Sequence, residues 1–306
     1  MDVINNLYEN YQIKVDKNIQ LSGKTYKIVC ENNNCYFIKK VSKELENKYI
    51  FLSNHGINNI IYPYLNTEKK YISELDKNSY YVTEYLSSKP VGEDQIGFRM
   101  FYALDLLHNN TSIKRQLSVN DTKPKFEEIT KQLDYKFKLI ESFIRSLETK
   151  PIDKYSYIVL ENYHILIQAK DELVKLQKKI ISSIKTKESV EYVFLHNNPK
   201  NEHLLIDKGN SYLTSIDNGK IGIDSLDLAK FYIENQHLKL DFKKIIFDDY
   251  YSHKQDFYYD YFCFIVLFIY IKRINFTNMS MINMESFVHN SQNIKIFIET
   301  FLNKQQ

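Results

Sequence analysis

Residues 193–230 constrain this chain more than any other segment. They read VFLHNNPKNEHLLIDKGNSYLTSIDNGKIGIDSLDLAK. The pattern is an apolar strand, a polar loop with two histidines, a short strand, a turn, a third strand ending at Asp217, and then an acidic loop. Helical periodicity lies on both sides. Short strands inserted there call for a small sheet element that carries a polar loop.

The regions around this segment differ in kind. Over the first 88 residues the pattern is mostly strand. Residues 19–21 and 25–31 read as strands joined at Ser22-Gly23-Lys24, and 35–40 follows after an Asn32-Asn33-Asn34 turn, which is hairpin chemistry. Ser42 is placed to cap a helix that runs to about Asn54 and stops at His55-Gly56. Residues 60–64, 71–74 and 80–85 are expected as further strands. After Leu86 the chain is largely helical. Segments 94–109, 126–147 and 157–184 are each apolar-periodic, and positions 126, 129, 133, 137, 140, 143, 144 and 147 describe one helix face. Pro151 lies between the last two segments and predicts a helical hairpin.

Composition narrows the function classes. With 41 basic and 38 acidic residues the charge is too balanced to argue for nucleic acid or an anionic membrane surface. The most apolar run, FCFIVLFIYI at 262–271, is far short of the ~20 residues that span a bilayer and reads as a core helix. The N-terminal residues lack the basic and apolar regions of a signal peptide, so a cytoplasmic location is expected. Cys30, Cys35 and Cys263 do not make a disulfide framework. Cys30 and Cys35 flank the Asn turn and are expected to be reduced. No cysteine–histidine constellation has zinc spacing.

The 193–230 layout resembles the catalytic and metal loops of the aminoglycoside phosphotransferase and choline kinase superfamily, relatives of the protein kinases. The family loop runs roughly His-x-Asp-x-x-x-x-Asn. Here it runs His196-Asn197-Asn198-Pro199-Lys200-Asn201-Glu202-His203. The histidine in last place is similar to the aminoglycoside 2″-phosphotransferases. SGKTYKIVCENNNCYFIKK, the helical hairpin and LDLAKFYIENQHLKLDFKKIIFDDY also resemble bacterial spore-coat kinase-like proteins of the same superfamily, so the likeness covers most of the chain.

The resemblance implies an α+β, two-lobed, protein-kinase-like fold of the aminoglycoside phosphotransferase type. Residues 1–88 would form an antiparallel sheet plus one helix. Residues 89–306 would form a mostly helical lobe containing 193–230, with the boundary at Ser87-Ser88-Lys89-Pro90. ATP and Mg²⁺ are the implied cofactors.

Residue by residue, Lys39 stands at the strand lysine that meets the nucleotide phosphates, with Lys40 as competitor. On an alternating strand only one of the two faces the cleft. Choosing Lys39 puts Phe37 on that face, where it would crowd adenine. The acid that holds the lysine would be Glu46, with Glu44 as the other choice. Glu84 to Leu86 stand at the hinge whose backbone meets adenine. Gly23 alone makes a poor phosphate-covering loop. His203 and Asp217 stand at the metal-ligand positions, and Asp217-Asn218-Gly219 keeps the family's Asp-x-Gly form. His196 has a structural place in the loop. Asp227 is placed to hold the loop.

Asn198 occupies the position of the catalytic aspartate. An amide neither takes the acceptor's proton nor adds negative charge. The implied function is therefore a kinase-like, nucleotide-binding protein with weak or absent phosphoryl transfer. Two alternatives accompany it. One is an active ATP-dependent phosphotransferase on a small hydroxylated molecule, such as an amino sugar or choline-like alcohol, with Glu202 or Asp224 as substitute base. The other is a structural partner of spore-coat type, in which the tyrosines of DDYYSHKQDFYYDYF supply contacts. The partner beyond nucleotide, a small molecule or a protein, is undetermined by the sequence.

Overall fold

The structure is a computed structural model. It describes residues 3–75, 78–87, 90–116, 119–149, 151, 153–186, 189–254, 256–275 and 281–303. The chain forms two compact units. The first comprises Met1–Ser112, Val193–Gly222 and His237–Leu240; the second comprises Ile113–Tyr192, Ile223–Gln236 and Asp241–Gln306. Of the expected boundary residues, Ser88 and Lys89 lie outside the described set.

The first unit is built on an antiparallel sheet of β1 (Val15–Gln20), β2 (Thr25–Cys30), β3 (Cys35–Val41), β4 (Ser73–Leu75) and β5 (Asn78–Glu84), in the order β1-β2-β3-β5-β4. The β2–β3 connection turns on Asn33, whose φ of 63° suits asparagine. Cys35 pairs with Val29 and Cys30 with Val15, and both thiols are free. Ile28, Ile38 and Val82 face one side and bury against Leu7 and Ile13. Leu7 belongs to α1 (Val3–Tyr11), a helix that the sequence reading did not anticipate. Burial explains it: Leu7 is fully covered, and Tyr11 hydrogen-bonds Ser73 at 2.9 Å.

Helix α2 (Leu45–Asn54) buries Leu45, Tyr49 and Leu52 and ends at Gly56, whose φ of 65° is the left-handed stop. It starts at Leu45, and Ser42 caps only weakly, accepting from the Glu44 N–H at 3.4 Å. The strand expected at 60–64 does not form. Ile60 makes one isolated bridge to Leu213, and the Tyr64 N–H reaches Val82 O at 2.8 Å. Pro63 between them has no N–H to continue a ladder.

Also in the first unit, α3 (Glu93–Asn110) buries Met100, Leu104 and Leu107. Its Arg99 donates to Gly209 O at 2.8 Å, on the turn between β8 (Leu204–Asp207) and β9 (Asn210–Leu213). That two-residue turn puts Lys208 and Gly209 at positive φ, the twist-matched hairpin type. Strand β7 (Ser189–Leu195) passes from the second unit to the first. Its last three residues pair with β10 (Lys220–Gly222) in the first unit. Its first four pair in the second unit with β6 (Ile113–Gln116), a strand absent from the sequence reading.

The second unit is helical. It contains α4 (Val119–Glu148), α5 (Lys154–Thr186), α6 (Ser225–Asn235), α7 (Asp256–Arg273) and α8 (Met281–Phe297). The expected α4 stripe is buried at Phe126, Leu133, Phe137, Ile140, Ile144 and Leu147. The apolar run of α7 is core, with Phe262, Cys263, Val266, Leu267, Tyr270 and Ile271 all fully covered. Among the described residues no helix is long and apolar enough to cross a membrane. Tyr250, Tyr251 and Tyr258, read as candidate interface tyrosines, are buried. Burial holds the phenols of Tyr251 and Tyr258 protonated, with pKa values raised above the ordinary range.

Candidate nucleotide site

Lys39, Glu46, Glu84, Leu86, His196, Asn198, His203 and Asp217 all lie in the first unit, whereas Asp224 and Asp227 lie in the second. On β3, Phe37 pairs with Thr83 and Lys39 with Tyr81, so both project from the same side of the strand while Ile38 points into the core. The Lys39 ammonium forms an ion pair with the Asp217 carboxylate and lies 3.5 Å from Ser215 Oγ. Lys40 sits over the Tyr26 ring at 5.9 Å.

Two cavities flank this pair. One, of about 300 Å³, is lined by Leu21, Phe37, Ile60, Tyr81, Leu213 and Ile216, with Glu84, Tyr85 and Leu86 along one wall. That volume is at the lower end of the range for small-molecule sites. Phe37 is part of its wall and does not fill it. The other cavity is polar, lined by Lys24, Lys39, Lys40 and Lys48 together with Glu44 and Asp217.

The loop after β7 is held mainly by its own histidines. His196 is fully buried; its Nε2–H donates to Thr214 O at 2.7 Å, and its Nδ1 accepts from the Asn198 N–H at 3.3 Å. The imidazole is thereby the neutral Nε2–H tautomer. Asn197 turns the loop at φ 63° and donates to Asn218 O at 3.0 Å, which ties it to the Asp217 segment. His203 closes the turn: its Nδ1–H donates to Asn198 O at 2.8 Å, and its Nε2 lies 3.7 Å from Glu202 Oε1. Both bonds to Asn198 use its backbone, so the loop geometry does not depend on the side chain at that position.

Asp217 lies in a short 3₁₀ turn, Ile216–Asn218, entered through Ser215 in the left-handed region at φ 56°. Gly219 then lets the chain pass beneath Phe194. A Cβ there would meet Phe194 Cζ at 2.4 Å and Ile216 O at 2.9 Å. The Phe194 ring cannot swing freely because it stacks on Phe51 at 5.9 Å. Gly219→Ala should therefore destabilise the protein by about 1–3 kcal/mol through overpacking. Denaturant unfolding reads this directly; an unchanged midpoint would show that the ring moves aside.

Glu46 is not brought to Lys39. Its two carboxylate oxygens accept from the Tyr71 N–H at 3.2 Å and the Ile72 N–H at 2.7 Å, anchoring the strand approach to β4. Glu44 lines the lysine cavity without an ion pair to Lys39 among the described contacts. The helix residue that does reach the site is Lys48, whose ammonium donates to the backbone carbonyl of Asp217. Sequence reasoning passed over it. Its signal was spacing: 45, 48, 49 and 52 share one helix face, and Lys48 is the cation in that otherwise apolar stripe.

Asp224 belongs to the second unit, where its fully buried carboxylate accepts from Lys254 and from the Tyr250 hydroxyl at 3.1 Å. That carboxylate is committed to a structural network.

The donor set does not fit Mg²⁺. That ion demands near-octahedral oxygen coordination and keeps several waters. Asp217 offers two oxygens: one is taken by Lys39, and Oδ1 is enclosed, without a partner and without exposed surface. His203 offers nitrogen. Among the described residues no three His, Cys, Asp or Glu groups converge as a metal site. A nucleotide fits better, with an apolar cavity against backbone and a lysine-lined cavity beside it.

Comparison with solved structures places this architecture. A phosphotransferase from Alicyclobacillus acidocaldarius subsp. acidocaldarius matches with a TM-score of 0.65 at 12% identity, over 94% of this chain and 90% of that one. The chain has the aminoglycoside phosphotransferase fold. AMP-bound spectinomycin phosphotransferase is similar at a TM-score of 0.56 and 14% identity, over 99% of this chain and 98% of that one. An amicoumacin kinase in complex with AMP-PNP and Ca²⁺ is similar at 0.52 and 13% identity, over 96% and 92%. No protein-family profile and no curated protein matches the sequence.

Proposed function

We propose that this chain is a kinase-like, ATP-binding protein in which phosphoryl transfer is weak or absent. One observation carries the binding reading: the apolar cavity walled by Glu84 to Leu86 lies beside a cavity lined by Lys24, Lys39, Lys40 and Lys48. An adenine-sized apolar slot next to concentrated positive charge suits a nucleoside polyphosphate. Neighbours of the same fold have been captured with AMP and AMP-PNP, which supports the class of ligand. In this reading Lys39 contacts phosphate, the backbone of residues 84–86 meets the base, and His196 and His203 hold the loop that carries Asn198.

Phosphoryl transfer is mainly positioning and charge neutralisation, helped by a carboxylate at the incoming hydroxyl. Asn198 provides the place of that carboxylate without its charge. A second reading, a slow but working transferase on a small alcohol, rests on Glu202. This residue lines the apolar cavity, and its carboxylate lies 3.7 Å from His203. A structural role of spore-coat type is what would remain if no nucleotide bound.

Thermal unfolding with ATP tests the proposal. A ligand that binds only the folded state stabilises it by about 2.7 kcal/mol at 100 times its Kd. The expected result is a Tm that keeps rising with the logarithm of ATP concentration above the Kd. The absence of any shift at millimolar ATP, with and without divalent cation, would sink the nucleotide reading.

A further inference from the structure

We infer that Lys48 and Lys39 together do the work of a divalent cation, so that this site binds a polyphosphate without Mg²⁺. The inference rests on the nucleotide reading above for its ligand, and on separate observations for its mechanism.

The first observation is the reversal of charge on α2. The fold resemblance calls for a helix glutamate that holds Lys39. The nearest candidate, Glu46, spends both oxygens on the Tyr71 and Ile72 N–H groups. Lys48 reaches the site in its place and donates to the Asp217 carbonyl. Lys39, freed from a helix acid, pairs with the Asp217 carboxylate. Two ammonium groups therefore converge on one aspartate from two different elements, β3 and α2.

The second observation is the charge of the surrounding cavity. Lys24, Lys39, Lys40 and Lys48 face Glu44 and Asp217, an excess of positive charge without any metal. A magnesium–nucleotide complex has already lost half of the triphosphate's charge to its ion. A cavity of net positive charge attracts the free tetra-anion more strongly than the doubly charged magnesium complex. Both key lysines are half-buried, where charge–charge attraction is screened less than at an open surface.

The third observation is that Asp217 has little left to offer a metal, since one of its oxygens is paired with Lys39. The oxygen of Asp217 not held by Lys39 has no exposed surface. A hydrated Mg²⁺ needs that space.

Calorimetric titration of the intact chain with ATP tests this, in EDTA and in excess Mg²⁺. Equal or tighter binding in EDTA is the expected result. Lys48→Met should weaken binding in EDTA by roughly tenfold or more, the usual loss for a hydrogen bond to a charged group. Lys48→Arg should restore most of it. Lys17→Met, an exposed β1 lysine outside the cavity, should change nothing. Methionine is a good helix former, so α2 should persist in the variant, and the ligand-free Tm checks that.

Two outcomes overturn the inference while leaving the nucleotide reading intact: ATP binding that requires Mg²⁺, or an unchanged affinity in Lys48→Met. Inorganic tripolyphosphate separates the two proposals from the other side. If it binds wild type in EDTA, and Lys48→Met weakly, while ATP fails to bind, the lysine site stands and the adenine site falls. If neither anion binds in EDTA, the inference is wrong.

Discussion

Asn198→Asp is expected to raise ATP-dependent turnover by roughly 10²-fold or more, because a positioned carboxylate acting as base typically contributes 10²–10⁴. The loop should accept the change. The Asn198 N–H is held by His196 Nδ1 at 3.3 Å, and its carbonyl by His203 Nδ1 and by the Lys200 N–H at 2.9 Å. None of these contacts uses the side-chain amide. The variant therefore changes charge and proton affinity at one point while leaving the backbone of residues 196–203 in place. Steady-state ATP hydrolysis, with a panel of small alcohols as alternative acceptors, provides the measurement. Turnover that stays at the wild-type level would mean the missing carboxylate does not limit the reaction. The impairment would then be assigned to the two lysines at Asp217. That distinguishes loss of a base from loss of the charge arrangement that accommodates a transferring phosphoryl group.

His196→Ala is expected to lower stability by about 2–4 kcal/mol, from the cavity it leaves and the buried carbonyl it abandons. The imidazole is fully buried and bridges Thr214 O and the Asn198 N–H, so it joins the loop after β7 to the segment leading into Asp217. A loss of this size should lower Tm by roughly 5–10 °C in a chain of this length. The same variant should bind ATP less tightly, since Glu202 and Thr214, which line the apolar cavity, lie in the two segments that lose their shared anchor. A Tm within about 1 °C of wild type would contradict the structural role given to His196.

The two variants also separate the roles of neighbouring residues. Asn198→Asp should alter rate with little effect on unfolding, whereas His196→Ala should alter unfolding first. In this loop the side chain at 196 is fully buried, while the bonds to residue 198 use its backbone alone.

Much of the architecture was legible from periodicity. The stripe from Phe126 to Leu147 is buried as a helix face, and the Asn32–Asn34 turn joins two paired strands. These features arise from neighbours close in sequence, where the spacing of apolar groups and the chemistry of turns act directly. Residues 201–203 and 216–218 form short turns where the sequence places a polar loop and an Asp-x-Gly pattern. Alternation on β3 predicted that Phe37 and Lys39 would share a face, and they do.

What required the tertiary structure was partner choice across long separations. Lys39 meets Asp217 across 178 positions and Lys48 meets the same residue across 169. Spacing sets Lys48 on the buried face of α2, but no local pattern states which residue it will meet there. Glu46 was a reasonable candidate by charge, but the approach to β4 brings two backbone N–H groups to its carboxylate first. Helix α1 and strand β6 were missed because each is stabilised by the surface it covers or the strand it joins. Ile4, Leu7 and Tyr11 do have helical spacing, but a nine-residue helix is marginal by itself, and the four residues of β6 carry little pattern. The sequence by itself determined a polar loop from His196 to His203, with Asn198 inside it, and an Asp-x-Gly turn at Asp217. Only the tertiary structure decided that a second lysine stands beside Asp217, because burial and charge pairing are settled by what the folded chain brings within a few ångströms.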